Sequence, residues 1–235
     1  MEDSAGLLAE LTRRLTRTPA RAPLPLRLCM AYVDIVAAVG GAITLGDGPE
    51  RVRLCATDDS AAHADDAQDV LRQGPSMDAF RTGAAVAAAS TEEQDRRWPL
   101  LGELLHKTHA DLLLHAFPMR FGAETVGVLL VHRSDQDELG ATSGEAQFLA
   151  DAVGAAVLGD LGPDSVSEDS WSTRDKIDQA TGMVIAQLGI APPDALAVLR
   201  SHAFAHSTTL AEVSGWILER RLDFSDRNGT DGSTS

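Results

Sequence analysis

The side chains able to do chemistry in this 235-residue chain are few and scattered. His106 and His109 stand one helical turn apart, a spacing at which two imidazoles could share a metal ion. No third ligand is spaced to join them, which favours two exposed histidines. Asp58-Asp59 and Asp65-Asp66 read as the solvated entry and the exposed face of one helix, not as an acid–base dyad. His115 and His132 fall on neighbouring predicted strands at no fixed register. Cys29 and Cys55 sit in apolar stretches without metal-ligand spacing, so they read as reduced core thiols. There is no phosphate-cradling glycine loop, no Gly-x-Ser-x-Gly elbow and no His–Asp pair beside a nucleophile. These absences argue against an enzyme and leave no metal site or named cofactor to expect. A second set of polar residues lies near the apolar stripes of the C-terminal segment: Arg174, Lys176, Thr181, Arg200, Ser201 and His202. On the residues alone they read as solubility for the charges and helix packing for Thr181, in a helical interaction module.

Three short amphipathic helices must carry that second set. Ile177, Ala180, Val184, Ile185 and Leu188 fall at the three-and-four spacing of one buried stripe. Ser172 and Asp175 have capping-box spacing at its start, and Gly189 offers a stop. Pro192 suits the first turn of a second helix, with Ala195, Leu196, Leu199 and Ala203 inward. Thr209 and Glu212 form the box of a third, whose stripe is Leu210, Val213 and Ile217, up to Leu222. Tight links between three such helices predict a compact bundle.

Upstream, helix and strand signals alternate. Residues 26–39 have a helical pattern broken at Gly40-Gly41. Residues 42–45 and 51–56 read as a hairpin through Gly46-Asp-Gly-Pro49. Residues 61–73 are again helical, Gly74-Pro75 breaks them, and residues 86–89 form a short apolar run. Thr91 and Gln94 are placed to cap one helix reaching toward Lys107. Residues 111–121 and 125–132 flank Gly122-Ala-Glu124 as a second hairpin. Thr142 and Glu145 cap a long Ala-rich helix through Leu158. The order predicts an α+β fold, an antiparallel sheet with helices on its faces. In the last helix Ala146, Leu149, Ala150, Val153 and Val157 make a small-residue stripe that either meets a second copy across a two-fold or covers the sheet.

Charge separates the two parts. Residues 1–170 hold 14 Lys and Arg against 27 Asp and Glu, a net of −13; residues 171–224 hold 5 against 6, a net of −1. A near-neutral bundle gains little from nonspecific phosphate contact, so any affinity for nucleic acid would have to come from shape and a few placed residues. Residues 161–170 form a polar linker and residues 225–235 a tail expected to be disordered. No apolar run reaches the roughly 18 residues of a membrane span, and the expected location is the cytoplasm.

Two resemblances cover nearly the whole chain. Ile177-Asp-Gln-Ala-Thr-Gly-Met-Val-Ile-Ala-Gln-Leu-Gly-Ile190, Ala195-Leu-Ala-Val-Leu-Arg-Ser-His-Ala203 and Leu210-Ala-Glu-Val213 resemble, helix for helix, the ANTAR output domain over residues 171–224. That resemblance implies an RNA-binding module of bacterial transcription antiterminators, with Thr181, Gly182 and Arg200 inside the matching motifs; it implies Arg174, Lys176 and Arg200 as cations for phosphates and Thr181, Ser201 and His202 as polar groups for splayed loop bases. Gln73-Gly-Pro-Ser-Met-Asp-Ala-Phe-Arg-Thr-Gly83, Arg97-Trp98-Pro99 and Phe117-Pro-Met-Arg-Phe-Gly-Ala-Glu-Thr-Val-Gly127 resemble the GAF domain over residues 8–160. Ser76 stands where many relatives have Cys, which removes a thiol ligand or redox handle. The GAF resemblance implies a small-molecule pocket between the sheet and residues 74–83, with Met77, Phe80 and Trp98 either as its walls or as ordinary core. Sensor followed by output resembles the actinobacterial GAF-ANTAR regulators, which implies a homodimeric, ligand-responsive antiterminator acting on stem-loop RNA. A ligand-binding dimer whose helical tail contacts protein is the competing expectation.

Overall fold

The computed structural model describes residues 2–46, 51–108, 112–134, 138–160, 168–206 and 208–224. The chain divides into two compact units, residues 1–170 and 171–235. The N-terminal unit runs α1 (Glu2–Arg17), α2 (Leu24–Ile35), β1 (Gly40–Leu45), β2 (Val52–Ala56), α3 (Asp59–Leu71), α4 (Pro75–Thr82), β3 (Val86–Ala87), α5 (Thr91–Arg97), α6 (Pro99–Thr108), β4 (Leu112–Phe121), β5 (Glu124–Ser134) and α7 (Ser143–Gly159). The strands form one sheet in the order β2-β1-β5-β4-β3 with every pair antiparallel. This is the expected α+β architecture. The first two helices of the unit differ from expectation: α1 lies upstream of the first predicted helix, and α2 ends at Ile35, short of residue 39.

Period-two alternation sends the strand side chains into two cores. Ile43, Phe117, Met119, Leu129 and Val131 meet α1, α2 and α7 on one face. Leu114, Ala116, Val128 and Leu130 meet the helices α3 to α6 on the other. The Tyr32 hydroxyl donates to the Ala146 carbonyl at 3.0 Å and ties α2 to α7. Of the two readings of the α7 stripe, covering the sheet is the one observed: Ala146, Leu149, Ala150, Val153 and Val157 are all buried in the first core.

Local chemistry explains most element ends. Thr142 forms the expected reciprocal capping box with Glu145 at the start of α7. The predicted helix of residues 91–107 is two helices, capped one residue earlier than expected. Ser90 accepts from Glu93 N–H, and the chain breaks at Trp98, because Pro99 cannot continue the preceding hydrogen-bond ladder. Gln94 then does something other than cap. It is buried, its amide donates to the Leu112 carbonyl at 2.9 Å, and its carbonyl accepts from Leu114 N–H at 2.8 Å. Farther along β4, Gln147 donates to the Pro118 carbonyl at 2.7 Å, and Asp151 accepts from Arg120 N–H at 3.0 Å.

The acidic residues of α3 correct the sequence reading. Asp58 is the N-cap of α3, accepting from Ala61 N–H at 2.8 Å, and it meets the His132 ring at 3.1 Å. Burial pushes the Asp58 carboxyl up, but the hydrogen bonds from Ala61 and Thr57 and the nearby His132 outweigh it and hold the group below its ordinary range. Gly40 makes room for this contact, since a Cβ there would lie 1.5 Å from Asp58 Oδ2. Asp65 is not on an exposed face. It is 1% exposed, ion-paired to Arg51, and accepts from Thr44 Oγ1 at 3.0 Å. Helix periodicity alone does not reveal a carboxylate whose cation comes from the β2 end of a hairpin.

The C-terminal unit consists of α8 (Glu168–Leu188), α9 (Pro192–Ala205) and α10 (Leu210–Leu218). Ala180 and Val184 of α8, Ala195, Leu199 and Ala203 of α9, and Leu210, Val213 and Ile217 of α10 are buried, as the stripes predicted, whereas Ile177, Ile185, Leu196 and Leu222 are half-buried and Leu188, at the last turn of α8, is exposed. Ser172 does not cap a helix, because α8 begins four residues before it. Gly189 ends α8 at φ +65, a conformation that favours glycine, and α8 and α9 are bent by 107° at this break. Thr209 forms the second predicted capping box with Glu212. Residues 161–167 of the expected linker, the tail from 225 to 235 and His109 lie outside the described residues. Among the described residues no single helix is long and apolar enough to cross a membrane.

Candidate functional site

The polar residues singled out on the C-terminal helices occupy different faces. Lys176 is exposed on α8, and five residues on, about 140° around a helix of 3.6 residues per turn, Thr181 is half-buried with its hydroxyl donating to the Ile177 carbonyl at 2.7 Å. That back-bond occupies the Thr181 proton within the helix. The side chain of Arg174 lies outside the described residues, although its backbone belongs to α8. Arg200, Ser201 and His202 follow one another on α9, so they fan out around the helix and do not stack on one side. Arg200 is half-buried; Ser201 is exposed and donates to the Ala197 carbonyl at 2.9 Å. His202 is half-buried, and its ring meets Phe224 edge-on at 5.0 Å.

The neighbours of His202 belong to a ring cluster that sequence reading missed. His206 lies one turn further on, at 6.1 Å and nearly parallel, and meets the Trp216 ring edge-on at 5.4 Å. The Arg221 guanidinium stands over the Trp216 ring at 5.7 Å from its centroid. The i, i+4 spacing of the two histidines was the available signal; their meeting with Trp216 depends on how α10 folds back. The turn after α10 positions Arg221. Arg220 adopts φ +57, its N–H bonds the Ile217 carbonyl at 3.0 Å, and the Arg221 N–H bonds the Trp216 carbonyl at 2.7 Å. This pair of bonds is the Schellman arrangement, in which the left-handed position is normally glycine. Arg220→Gly is expected to stabilise the C-terminal unit by about 0.5–1 kcal/mol, read as an upward shift in its thermal melt. A lower melting temperature would mean that the Arg220 side chain contributes more than its backbone strain removes.

In the N-terminal unit the three candidate wall residues are mostly part of the second core. Trp98 is 4% exposed, its indole N–H donates to Asp78 Oδ2 at 3.1 Å, and Arg97 covers its ring at 4.4 Å. Phe80 packs against the same core, and Met77 is half-buried. A cavity of about 320 Å3 opens on the opposite face of the sheet, lined by Val86, His115, Phe117, Arg133, Leu139 and Ser143 among others. None of Met77, Phe80 and Trp98 lines it. At its wall Arg133 Nε donates to His115 Nε2 at 2.9 Å, with both side chains buried. Burial, and then the Arg133 charge, push the His115 imidazole down to about 4. His115 is therefore a neutral acceptor at physiological pH. His106 bonds Asp95 Oδ2 at 2.8 Å, and among the described residues no group of three His, Cys, Asp or Glu side chains could hold a metal ion.

Residues 168–218 match the ANTAR domain. The ANTAR segment thus takes in α8, α9 and α10, and with them Lys176, Thr181, Arg200, Ser201, His202, His206 and Trp216, whereas Arg221 lies three residues beyond it. The rest of the chain shows a distant likeness to solved GAF domains. One from a Coxiella burnetii phosphoenolpyruvate-protein phosphotransferase is 14% identical over 66% of this chain and 93% of its own, with a TM-score of 0.45. One from an Acinetobacter phosphoenolpyruvate-protein phosphotransferase is 14% identical over 67% and 97%, with a TM-score of 0.43. A GAF domain/HD domain protein from Geobacter sulfurreducens is 15% identical over 67% and 93%, with a TM-score of 0.40. No curated protein matches the chain.

Proposed function

We propose that this chain is a cytoplasmic, signal-responsive transcription antitermination regulator that binds stem-loop RNA through its C-terminal unit. The observation that carries this reading is the ANTAR match over residues 168–218, which falls on a folded three-helix unit with its own buried stripe. The likeness of residues 73–83, 97–99 and 117–127 to GAF motifs supports a sensor role for residues 8–160, and the cavity beside Arg133 and His115 offers a small ligand a place there. The mechanism needs no covalent step: RNA held as stem-loops cannot refold into a terminator hairpin. Assembly as a homodimer belongs to the same proposal.

Within it, Arg174, Lys176, Thr181, Arg200, Ser201 and His202 contact RNA. Arg200→Ala and Lys176→Ala are expected to weaken binding to a hairpin from the leader of the protein's own transcript. Each should also flatten the salt dependence by about one unit of logarithmic slope, while the thermal melt stays nearly unchanged. Filter binding at several salt concentrations reads both quantities; unaltered affinity in both variants would remove these residues from the site. Full-length protein that copurifies with no RNA and retards no leader hairpin would overturn the antitermination reading and favour a protein-contacting tail.

A further inference from the structure

The surface where α9 ends and α10 turns back gathers aromatic faces and cations in one place. His206 and Arg221 are exposed, Trp216 is half-buried instead of being drawn into the bundle core, and their rings and guanidinium lie 5.4 and 5.7 Å from the Trp216 ring. Arg220, also exposed, precedes Arg221 in the turn. The backbone fixes this grouping, since the N–H groups of Arg221 and Leu222 both bond the Trp216 carbonyl, at 2.7 and 3.1 Å. Glu219 pairs with Arg221 at 3.5 Å on an exposed edge, where such a pair contributes little.

We propose that this cluster is a stacking platform for unpaired bases of an RNA loop, with a base lying on the Trp216 indole and His206 and Arg221 flanking it. The inference rests on the RNA-binding reading of this unit and adds residues which that reading does not contain. Three features favour loop bases as the occupant. A half-exposed indole with an adjacent guanidinium matches the π-face of any base, and loops present bases that are already unstacked. The unit carries a net charge of −1 over residues 171–224, so phosphate attraction cannot supply most of the affinity and a charge-independent contact is required. The cluster also lies at the end of the ANTAR segment, continuous with His202.

The test uses the full chain labelled with 5-fluorotryptophan, whose three fluorine resonances are assigned through Trp216→Phe, and a leader hairpin RNA in which loop bases are replaced one at a time by abasic sites. Adding the intact hairpin should shift the Trp216 resonance, and at least one abasic loop should abolish that shift while the stem is unchanged. Trp216→Ala should weaken binding by roughly 5- to 150-fold with an unaltered salt slope, and Trp216→Phe should retain most of the affinity. If Trp216→Ala fails to fold, the resonance shift and the abasic series on the wild-type side chain still decide. Wild-type binding with a stationary Trp216 resonance, or with all abasic loops bound as tightly as the intact one, overturns the platform and leaves RNA binding standing. A wild-type protein that binds no hairpin overturns both, so the two failures are distinguishable.

Discussion

Asp65→Ala should destabilise the N-terminal unit by about 3–5 kcal/mol, the range found when one member of a buried ion pair is removed. The side chains of Asp65 and Arg51 are 2% and 7% exposed, so truncation strands a guanidinium that water cannot reach. It also removes the acceptor of the buried Thr44 hydroxyl and a longer contact to Arg53 at 3.8 Å. Charge burial, more than attraction, sets the size of the effect. The double variant Arg51→Met with Asp65→Leu removes both charges while keeping apolar volume, and it should recover much of the loss. Urea unfolding of the single and double variants measures this directly. A single variant within about 1 kcal/mol of wild type would show that Arg51 finds water or another acid when Asp65 is absent.

Acidification should destabilise the same unit through His115. Its folded-state pKa is pushed down to about 4 from an ordinary value of 6.5. Between those two values the unfolded chain takes up a proton that the folded one refuses, so stability rises with pH across that window and is lost as pH falls through it. The full difference corresponds to about 3 kcal/mol at pH 4 and vanishes above pH 7. Neutrality follows from position: a protonated His115 would put a second cation against the Arg133 Nε–H that it now accepts. Melting curves at steps from pH 7.5 to 4 should show the slope, and His115→Gln, which can still accept from Arg133, should remove this contribution. Burial pushes the Asp66 carboxyl up to about 6, so the folded chain holds a proton there that the unfolded one releases, and this offsets part of the wild-type slope. The difference between the wild-type and His115→Gln profiles is therefore the measure, and two equally steep profiles would assign acid sensitivity to other groups.

What the sequence disclosed was local. Thr142 with Glu145 and Thr209 with Glu212 were legible as helix starts because a capping box is made within four residues. The stripes of α8 to α10 were legible because a bundle core repeats with the helix. The same local logic misplaced the cap of α5, where Ser90 and Glu93 compete with Thr91 and Gln94 at identical spacing. It also saw a box at Ser172 inside a helix that had already begun. Contacts between distant segments left no such mark. Asp65 shows an acidic residue on a helix, and its cation lies 14 positions earlier. Trp216 reads as one more helical apolar residue until Arg221 and His206 are seen around it. The Arg133–His115 contact depends on the register of β4 and β5, which alternation alone leaves open.

The ten-residue β4 has β5 on one side and only the two residues of β3 on the other. A bare strand of that length would be a template for a strand from another chain. Here the helices answer it with side chains: Gln94 occupies Leu112 and Leu114, Gln147 occupies Pro118, which itself has no N–H to offer, and Asp151 occupies Arg120. An incoming strand would have to evict an amide, a second amide and a carboxylate before making its first ladder bond. The β4 edge is thereby closed to a strand from another molecule at those positions, which leaves β2, at the opposite end of the strand order, as the longer of the two outer strands that a second copy could pair with.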